Sequence, residues 1–390
     1  MKNGAVLSHS EDGKETFIKT GTPIICLFTS VKSQVLENEL FSLRTISFIS
    51  IMKKFIALSA VFGALLFSSC ETGTNEPAPA TYPGDSLTVT SQARPLVIET
   101  TGAWCQYCPN GAEIMTVIDH VLGDSVVLVA NHVGDWFATD NAASGAFDDN
   151  FPTAGVPNFY VNNTDQGQSP TAAATAAIFD EVAFGVEAYV VDSANKLIVY
   201  PRVKCLETNL NQVFMLQSYL LLNGVVAKEY TDSSGATVDL HQVSSVAIVT
   251  TGSGTVPTTW AQDAGEFPSG SGTYLIEAGT NYTHDEALFG HATTAVKGWI
   301  NSDNTDIADT TAVTLGPWGM NLSDLNPLGG SYAAGDVFGT RYSPVQFEIT
   351  KPTLPAGMAA DFSVATIVWQ LRQDGSGDYD YVNGAVTHVD

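Results

Sequence analysis

The sequence has 390 residues, of which 41 are Asp or Glu and only 16 are Lys or Arg, so its formal net charge is −25 at pH 7. A surface this acidic repels phosphate backbones and anionic headgroups, and we therefore expect no nucleic-acid partner. The length allows about two or three domains. The five cysteines are too few for a disulfide-dense scaffold, so each has to be interpreted singly.

An apolar stretch near the N-terminus has the pattern of an export signal. The segment Met52–Cys70, MKKFIALSAVFGALLFSSC, begins with Met and two lysines, continues with a mostly apolar run, and ends with small residues before Cys70. The run is too short to span a bilayer comfortably, but it fits a secretory signal. We therefore expect a signal peptide over 52–69 and a mis-called extension over 1–51. The alternative is a short buried helix.

The closing LLFSSC resembles a bacterial lipoprotein signal, in which the cysteine carries the lipid. The resemblance implies a palmitate-type lipid anchor on Cys70 and a place in the cell envelope at the outer membrane, on either the periplasmic or the surface face. The Pro-, Thr- and Gly-rich segment that follows, Glu71–Ser86, is typical of a flexible tether. Residues 70–92 are accordingly predicted to be anchor and tether.

Residues 93–185 contain short apolar runs and helical patterns. The runs Arg94–Thr100, Asp124–His132 and Gly155–Val161 predict strands. Apolar residues at helical spacing predict one buried helix face that Gly123 ends: Ile114, Val117, Ile118, Val121 and Leu122. A second helix is predicted with Ser169 as N-cap, Pro170 in its first turn and Gly185 as its stop.

Cys105 and Cys108 are two residues apart, between the first predicted strand and the first predicted helix. Thiol–disulfide exchange needs a thiolate, and a free thiol that titrates near 8.5 is mostly protonated at neutral pH. The N-terminus of a helix favours the charged form of Cys105, and Cys108 can then resolve a mixed disulfide. Because Pro109 disfavours helical geometry in the residue before it, the helix is alternatively predicted to begin at Pro109.

The order of these elements resembles the thioredoxin-like fold. Trp104 precedes Cys105, as a Trp does in that family's motif, and Val156–Pro157 matches the family's cis-proline. Glu99 lies where the family has a buried acidic residue. The resemblance implies that Glu99 exchanges a proton with Cys108 and that the backbone at Pro157 faces the sulfurs. A buried Glu99 would have a raised pKa.

Two other functions of the cysteine pair stay open. A zinc site needs about four ligands, and it would have to recruit His120 or His132 without a recognisable spacing. A permanent structural disulfide is the stronger alternative, because an exported protein is readily oxidised. His132 and Asp135 follow the second strand and are interpreted either as a polar wall of the active groove or as a loop histidine held by an aspartate.

Residues 186–390 contain repeated short apolar runs with turn signals, which predict an antiparallel β-sandwich of immunoglobulin-like layout. Asn223–Gly224 and Asn383–Gly384 are dipeptides typical of hairpin turns. Cys205 lies in a predicted strand as a small core residue. The acidic segment Gln373–Tyr381 hints at calcium, but it lacks the twelfth-position glutamate of an EF-hand and is interpreted as an acidic hairpin tip.

The lipoprotein signal, ETTGAWCQYCP, GVPNFYVN and the trailing β-rich part together resemble one family, the outer-membrane lipoproteins related to a twenty-eight-kilodalton outer-membrane protein (Omp). The resemblance implies an α/β thioredoxin-like domain followed by an all-β, immunoglobulin-like antiparallel sandwich. This sequence departs from the family pattern at two positions, Asn163 and Phe289, where members of the family often have an arginine.

The predicted function is that of a thiol–disulfide oxidoreductase without a cofactor. Its expected partners are protein thiols or disulfides of the envelope and, through the lipid, the membrane. The alternative is a surface binding module or adhesin that holds a surface partner on the sandwich, with the cysteine pair as a structural disulfide.

Overall fold

The computed structural model describes residues 82–208, 210–245, 262–263, 273–276, 282–300, 307–325 and 332–389. Within these ranges there are three α-helices: α1 Cys108–Leu122, α2 Ala142–Asn150 and α3 Thr171–Ala177. Short 3-10 helices lie at Pro83–Ser86, Gly123–Ser125, Trp136–Ala138 and Leu322–Leu325. None of the helices in the described ranges is long and apolar enough to cross a membrane.

The rest of the described chain is built mainly from strands. The first eleven are β1 Leu96–Thr101, β2 Val127–His132, β3 Asn158–Val161, β4 Thr164–Gly167, β5 Phe184–Ser193, β6 Lys196–Cys205, β7 Phe214–Asn223, β8 Val225–Val226, β9 Glu229–Thr231, β10 Thr237–Asp239 and β11 Val243–Ser245. The others are β12 Gln262–Asp263, β13 Thr273–Ile276, β14 Thr283–His284, β15 Ala287–His291, β16 Thr294–Ile300, β17 Ile307–Thr314, β18 Met320–Asn321, β19 Val337–Phe338, β20 Val345–Thr350, β21 Asp361–Leu371 and β22 Tyr379–His388.

A mixed sheet of nine strands is the largest in the described chain. Its order is β22-β21-β7-β15-β2-β1-β3-β4, with β18 paired to β7. Strand β2 is parallel to both β1 and β15, and the remaining pairs are antiparallel. An antiparallel sheet of six strands has the order β17-β16-β20-β6-β19, with β5 paired to β6. The described chain is therefore β-rich, with few helices.

Alternation along β1 explains how the nine-stranded sheet is covered. Successive side chains of a strand point to opposite faces. Leu96 and Ile98 pack with Phe147 of α2, whereas Val97 packs with Met115 of α1. The apolar run of β1 is therefore buried on both sides, and the parity of Glu99 places its side chain on the same face as Val97, beneath α1.

The two larger sheets pack together in a sandwich-like arrangement. Apolar residues of β7 and β21 share one core with residues of β5, β6 and β20; they include Leu216, Leu220, Val364, Val186, Leu197, Val199 and Phe347. Cys205 is fully buried in the same core, so its predicted role as a small core residue is confirmed. This burial raises the pKa of the Cys205 thiol.

Both helix predictions for residues 93–185 need correction in detail. Met115 and Ile118 form the buried face of α1, whereas Val117 and Val121 are 41% and 58% exposed. The second helix is shorter than predicted: Pro170 is its N-cap residue and it ends at Ala177. Gly185 lies inside β5, where a Cβ atom would collide with the backbone of Thr90. Glycine is needed there for close packing, not for ending a helix.

Neither Asn-Gly dipeptide forms the predicted hairpin. Gly224 does have a positive φ of 69°, but the strand after it, β8, pairs with β14 and not with β7. Asn383 and Gly384 lie within β22. The Asn383 amide donates to the carbonyls of Gln92 and Phe184, and its oxygen accepts from the Arg94 N–H. The asparagine side chain therefore holds neighbouring backbone and does not form a turn.

The end of the predicted tether is packed against the fold. The Tyr82 hydroxyl donates to Val345 O at 2.6 Å, and Arg202 donates to Gly84 O at 2.7 Å. Strands from both sides of the predicted domain boundary at 185/186 share the nine-stranded sheet; the boundary itself stays a prediction. The extension 1–51, the signal peptide 52–69 and the anchor Cys70 lie outside the described residues.

Candidate functional site

Cys105 and Cys108 form a disulfide at the start of α1. The helix begins at Cys108, with Tyr107 as its N-cap residue and Pro109 in its first turn. Proline is tolerated there because the first N–H groups of a helix have no intrahelical acceptor. The helix therefore includes Cys108, and the alternative start at Pro109 is wrong.

Both cysteines are buried, but only Cys105 borders a cavity. Cys105 is 3% exposed and Cys108 is fully buried. Cys105 also lines a surface cavity of about 700 Å³, here called the cysteine cavity, and Cys108 does not. Of the two sulfurs, that of Cys105 is therefore the one that can be approached through the cavity.

The cysteine cavity is bordered by the cis peptide bond Val156–Pro157, as the sequence predicted. Cys105 Sγ lies 3.7 Å from Val156 O. Trp104, which is 53% exposed, forms part of the wall, and its indole N–H donates to Val133 O at 2.6 Å. The structure thus brings together the disulfide, Trp104 and the cis-proline segment.

Glu99 is buried beneath α1, with only 2% of its surface exposed. Burial raises the pKa of its carboxyl to about 8, and a hydrogen bond with the Thr101 side chain lowers it only in part. Its Oε1 has no hydrogen-bond partner among the described residues. This oxygen lies so close to Gly111 that a Cβ atom there would collide with it. Burial and the raised pKa are confirmed, and at neutral pH Glu99 carries a proton.

Residues 102–107, between β1 and α1, are here called the cysteine loop. Asp135 connects this loop to His132. One carboxylate oxygen, Oδ2, accepts from the Ala103 N–H at 2.9 Å and lies 2.7 Å from His132 Nδ1. Burial raises the pKa of Asp135, but the charge and hydrogen bond of His132 and the bond from Ala103 outweigh burial, so the pKa lies below its usual value. Of the two interpretations of this pair, the structure favours a support for the loop, since neither residue lines the cysteine cavity.

The segment that contains Gln242 and Val243, far away in sequence, forms hydrogen bonds to the cysteine loop. The Gln242 side-chain amide donates to Cys105 O at 3.0 Å, and the Val243 N–H donates to Ala103 O at 2.8 Å. Val243 also lines the cysteine cavity. Nothing in the local pattern of residues 240–245 signals this contact, because it depends on tertiary pairing alone.

No group of His, Cys, Asp or Glu in the described part of the chain is arranged to hold a metal ion. The predicted calcium-like loop is a hairpin tip whose acidic residues pair with Arg372, at 2.7 Å for Asp380 and 3.2 Å for Asp378. The arginine supplies the positive charge that a cation would otherwise provide.

No family model matches the chain, and no curated protein matches it. A solved structure to which it is similar is HBP35 of Porphyromonas gingivalis, with 14% sequence identity, a TM-score of 0.44 and 77% of each chain covered. At this identity and TM-score the likeness carries no argument about fold or function.

Proposed function

We propose that the protein is a thiol–disulfide oxidoreductase whose exchanging residue is Cys105. The observation that carries the proposal is the asymmetry of the disulfide: Cys105 lines a cavity beside the cis Val156–Pro157 bond, and Cys108 is sealed beneath it. The buried, protonated Glu99 supports it, because a carboxyl whose pKa is near 8 can give or take a proton at neutral pH.

The exchange balances without a cofactor. A client thiolate attacks Cys105 Sγ, the bond between Cys105 and Cys108 breaks, and its electron pair goes to Cys108 Sγ. Glu99 gives its proton to the Cys108 thiolate. A second client thiolate then displaces Cys105, so the client is oxidised and the cysteine pair is reduced by two electrons. With a reduced pair and an oxidised client the same steps run in reverse, with Cys105 attacking and Cys108 resolving.

We further propose a thioredoxin-like arrangement for 93–185 and an immunoglobulin-like sandwich for 186–390. The parallel pair β1–β2, the antiparallel β3, and helices on both faces support the first. The packing of the two larger sheets around one apolar core supports the immunoglobulin-like sandwich.

Cys108→Ser is expected to trap clients, because Cys105 then has no resolving partner. With a labelled peptide disulfide, the variant should accumulate a mixed disulfide that dithiothreitol releases, about tenfold or more faster than a model thiol of ordinary pKa at pH 7. Non-reducing gels and intact mass measure the adduct. Cys105→Ser/Cys108→Ser is the matched control, because it keeps the buried Cys205. An adduct no faster than the model thiol argues against an enzyme.

The proposal includes a lipid anchor on Cys70 and membership of the outer-membrane lipoprotein family resembled by the sequence motifs. Cys70→Ala is expected to lose all incorporated acyl label and to leave the membrane fraction, because the lipid is attached to the sulfur of Cys70. Metabolic labelling with a palmitate analogue measures this, and Cys205→Ala serves as the control that should keep its label. Retention of label by Cys70→Ala would contradict the anchor.

A surface binding module is the second candidate, with the disulfide as a structural link. The observation that favours it is the cover that Gln242 and Val243 place over the cysteine loop. Under this alternative, reduction lowers the stability of the protein, and replacing both cysteines by Ala leaves partner binding intact.

A further inference from the structure

A second cavity of about 830 Å³ lies between α1 and the ends of β7 and β21. Six carboxyl residues line it: Glu99, Glu113, Asp119, Asp285, Glu286 and Asp361. No Lys or Arg is present among the described residues that line it. We call it the acidic cavity.

Two carboxyl oxygens in the acidic cavity are buried without a hydrogen-bond partner among the described residues. They are Oε1 of Glu99 and Oε2 of Glu286. A buried polar atom left unpaired costs about 1–3 kcal/mol, so such atoms are rare unless a ligand or water completes them. Glu286 also has a positive φ of 53°, uncommon for a residue with a side chain. A ligand that donates a hydrogen bond to either carboxyl oxygen would remove this cost.

The remaining walls decide what kind of donor fits. They include the apolar side chains of Met115, Leu128, Ala130 and Phe362. No group of carboxylates in the described residues converges closely enough to hold a metal ion. A divalent cation needs six or more oxygen ligands around one point, whereas an organic cation uses separate carboxyls together with apolar walls.

We propose that the acidic cavity binds an organic cation, a protonated amine carried on an apolar body. The ammonium group donates to Glu99 Oε1 or Glu286 Oε2, and the apolar body lies against Met115 and Phe362. The cavity volume is within the range of small-molecule sites. The cysteine pair lies outside this cavity, but Glu99 is shared with the proposed thiol exchange, so an ammonium group at Glu99 Oε1 occupies the carboxyl that exchanges a proton with Cys108.

Charge also favours this ligand. Burial raises the pKa of Glu99 to about 8, and burial together with the neighbouring charges of Asp285 and Asp119 raises that of Glu286 to about 8. The cavity therefore holds protons at neutral pH when no cation is present. An ammonium group stabilises the ionised carboxyl, so binding should release protons. Other charged or titratable side chains that line the cavity are Glu113 of α1, Tyr282, Asp361 of β21 and His388 of β22.

Hexylammonium is a suitable probe for the proposed ligand. Hexan-1-ol tests whether the positive charge is needed, and calcium chloride tests whether the site binds a metal ion instead. Titration calorimetry of the oxidised full-length protein is expected to show saturable one-to-one binding of hexylammonium with proton release, and none of hexan-1-ol. Glu286→Gln should weaken binding about tenfold or more. Glu229→Gln, at an exposed residue, is the matched control and should leave the affinity unchanged.

Thr116→Trp is a second test that keeps every carboxyl. Thr116 is an exposed residue of α1 that lines the acidic cavity, so an indole there fills the cavity without disturbing the core. This variant should lose binding while its far-ultraviolet circular dichroism and its urea unfolding midpoint stay close to those of the wild type. Binding that survives both Glu286→Gln and Thr116→Trp, no saturable binding, or tighter binding of calcium than of hexylammonium would overturn the proposal.

Discussion

Gly111→Ala is expected to destabilise the protein, although alanine is the better helix former by about 1 kcal/mol. Gly111 lies in α1 above Glu99, and a Cβ atom there would collide with Glu99 Oε1 and lie 3.0 Å from Pro157 Cβ. Neither neighbour can move freely, because Glu99 belongs to a central strand and Pro157 precedes β3. We expect a net loss of about 1–3 kcal/mol in the free energy of unfolding.

Gly145→Ala provides the matched control for this prediction. Gly145 is the other glycine in a described helix, α2, and a Cβ atom there meets no atom within 4 Å. Its replacement should therefore stabilise the protein by up to about 1 kcal/mol. Urea unfolding of both variants measures the difference. If Gly111→Ala were as stable as Gly145→Ala, the close packing of α1 on Glu99 would be wrong.

Glu99→Gln is expected to remove a pH dependence from the stability of the protein. The pKa of Glu99 is raised from 4.5 to about 8, so between these values the folded state holds a proton that the unfolded state has lost. Unfolding then releases a proton, and stability falls as pH rises until it levels off above pH 8. Between pH 6.5 and pH 9 the wild type should lose about 2 kcal/mol relative to Glu99→Gln.

Other groups with shifted pKa values do not affect this comparison between pH 6.5 and pH 9. They titrate either outside this range or equally in both proteins. Burial lowers the pKa of His284 to about 4, so this residue affects stability below pH 6.5. Glu286, with a pKa of about 8, titrates in both proteins, and its contribution cancels in the difference. Denaturant unfolding at several pH values gives the comparison, with Glu229→Gln as the control that should follow the wild type. Parallel curves for wild type and Glu99→Gln would show that Glu99 is already ionised at neutral pH.

The cysteine site was predictable from sequence because its parts are close together or carry strong local signals. Trp104, Cys105 and Cys108 lie within five consecutive residues, and the apolar run around Glu99 fixes a strand that leads to them. The cis bond at Pro157 was expected from a resemblance, since no local pattern specifies which isomer a proline adopts. The exposure of Val117 and Val121 was not predictable, because helical spacing cannot show how wide a stripe the neighbours cover.

Contacts between distant segments were beyond the sequence. Gln242 bonds to Cys105 O from 137 residues further along the chain, and Glu286 lines the acidic cavity where β15 lies beside β2. Helix α2 was missed because its apolar content is low, although Asn141 caps it by accepting from the N–H groups of Ala143 and Ser144. The side chain of Asn383 was misinterpreted as a turn signal, since its backbone partners lie 199 to 291 residues away in sequence.

The position of β2 between β1 and β15 has a consequence for biosynthesis. The far side of β2 receives its neighbour only after residues 286–291 have been made, and the Ala130 N–H then donates to Glu286 O at 2.8 Å. Nascent or clipped chains that stop earlier carry an unpaired edge of β2, the kind of edge on which chains aggregate. Chains that end before residue 286 are therefore expected to aggregate more readily than the complete chain.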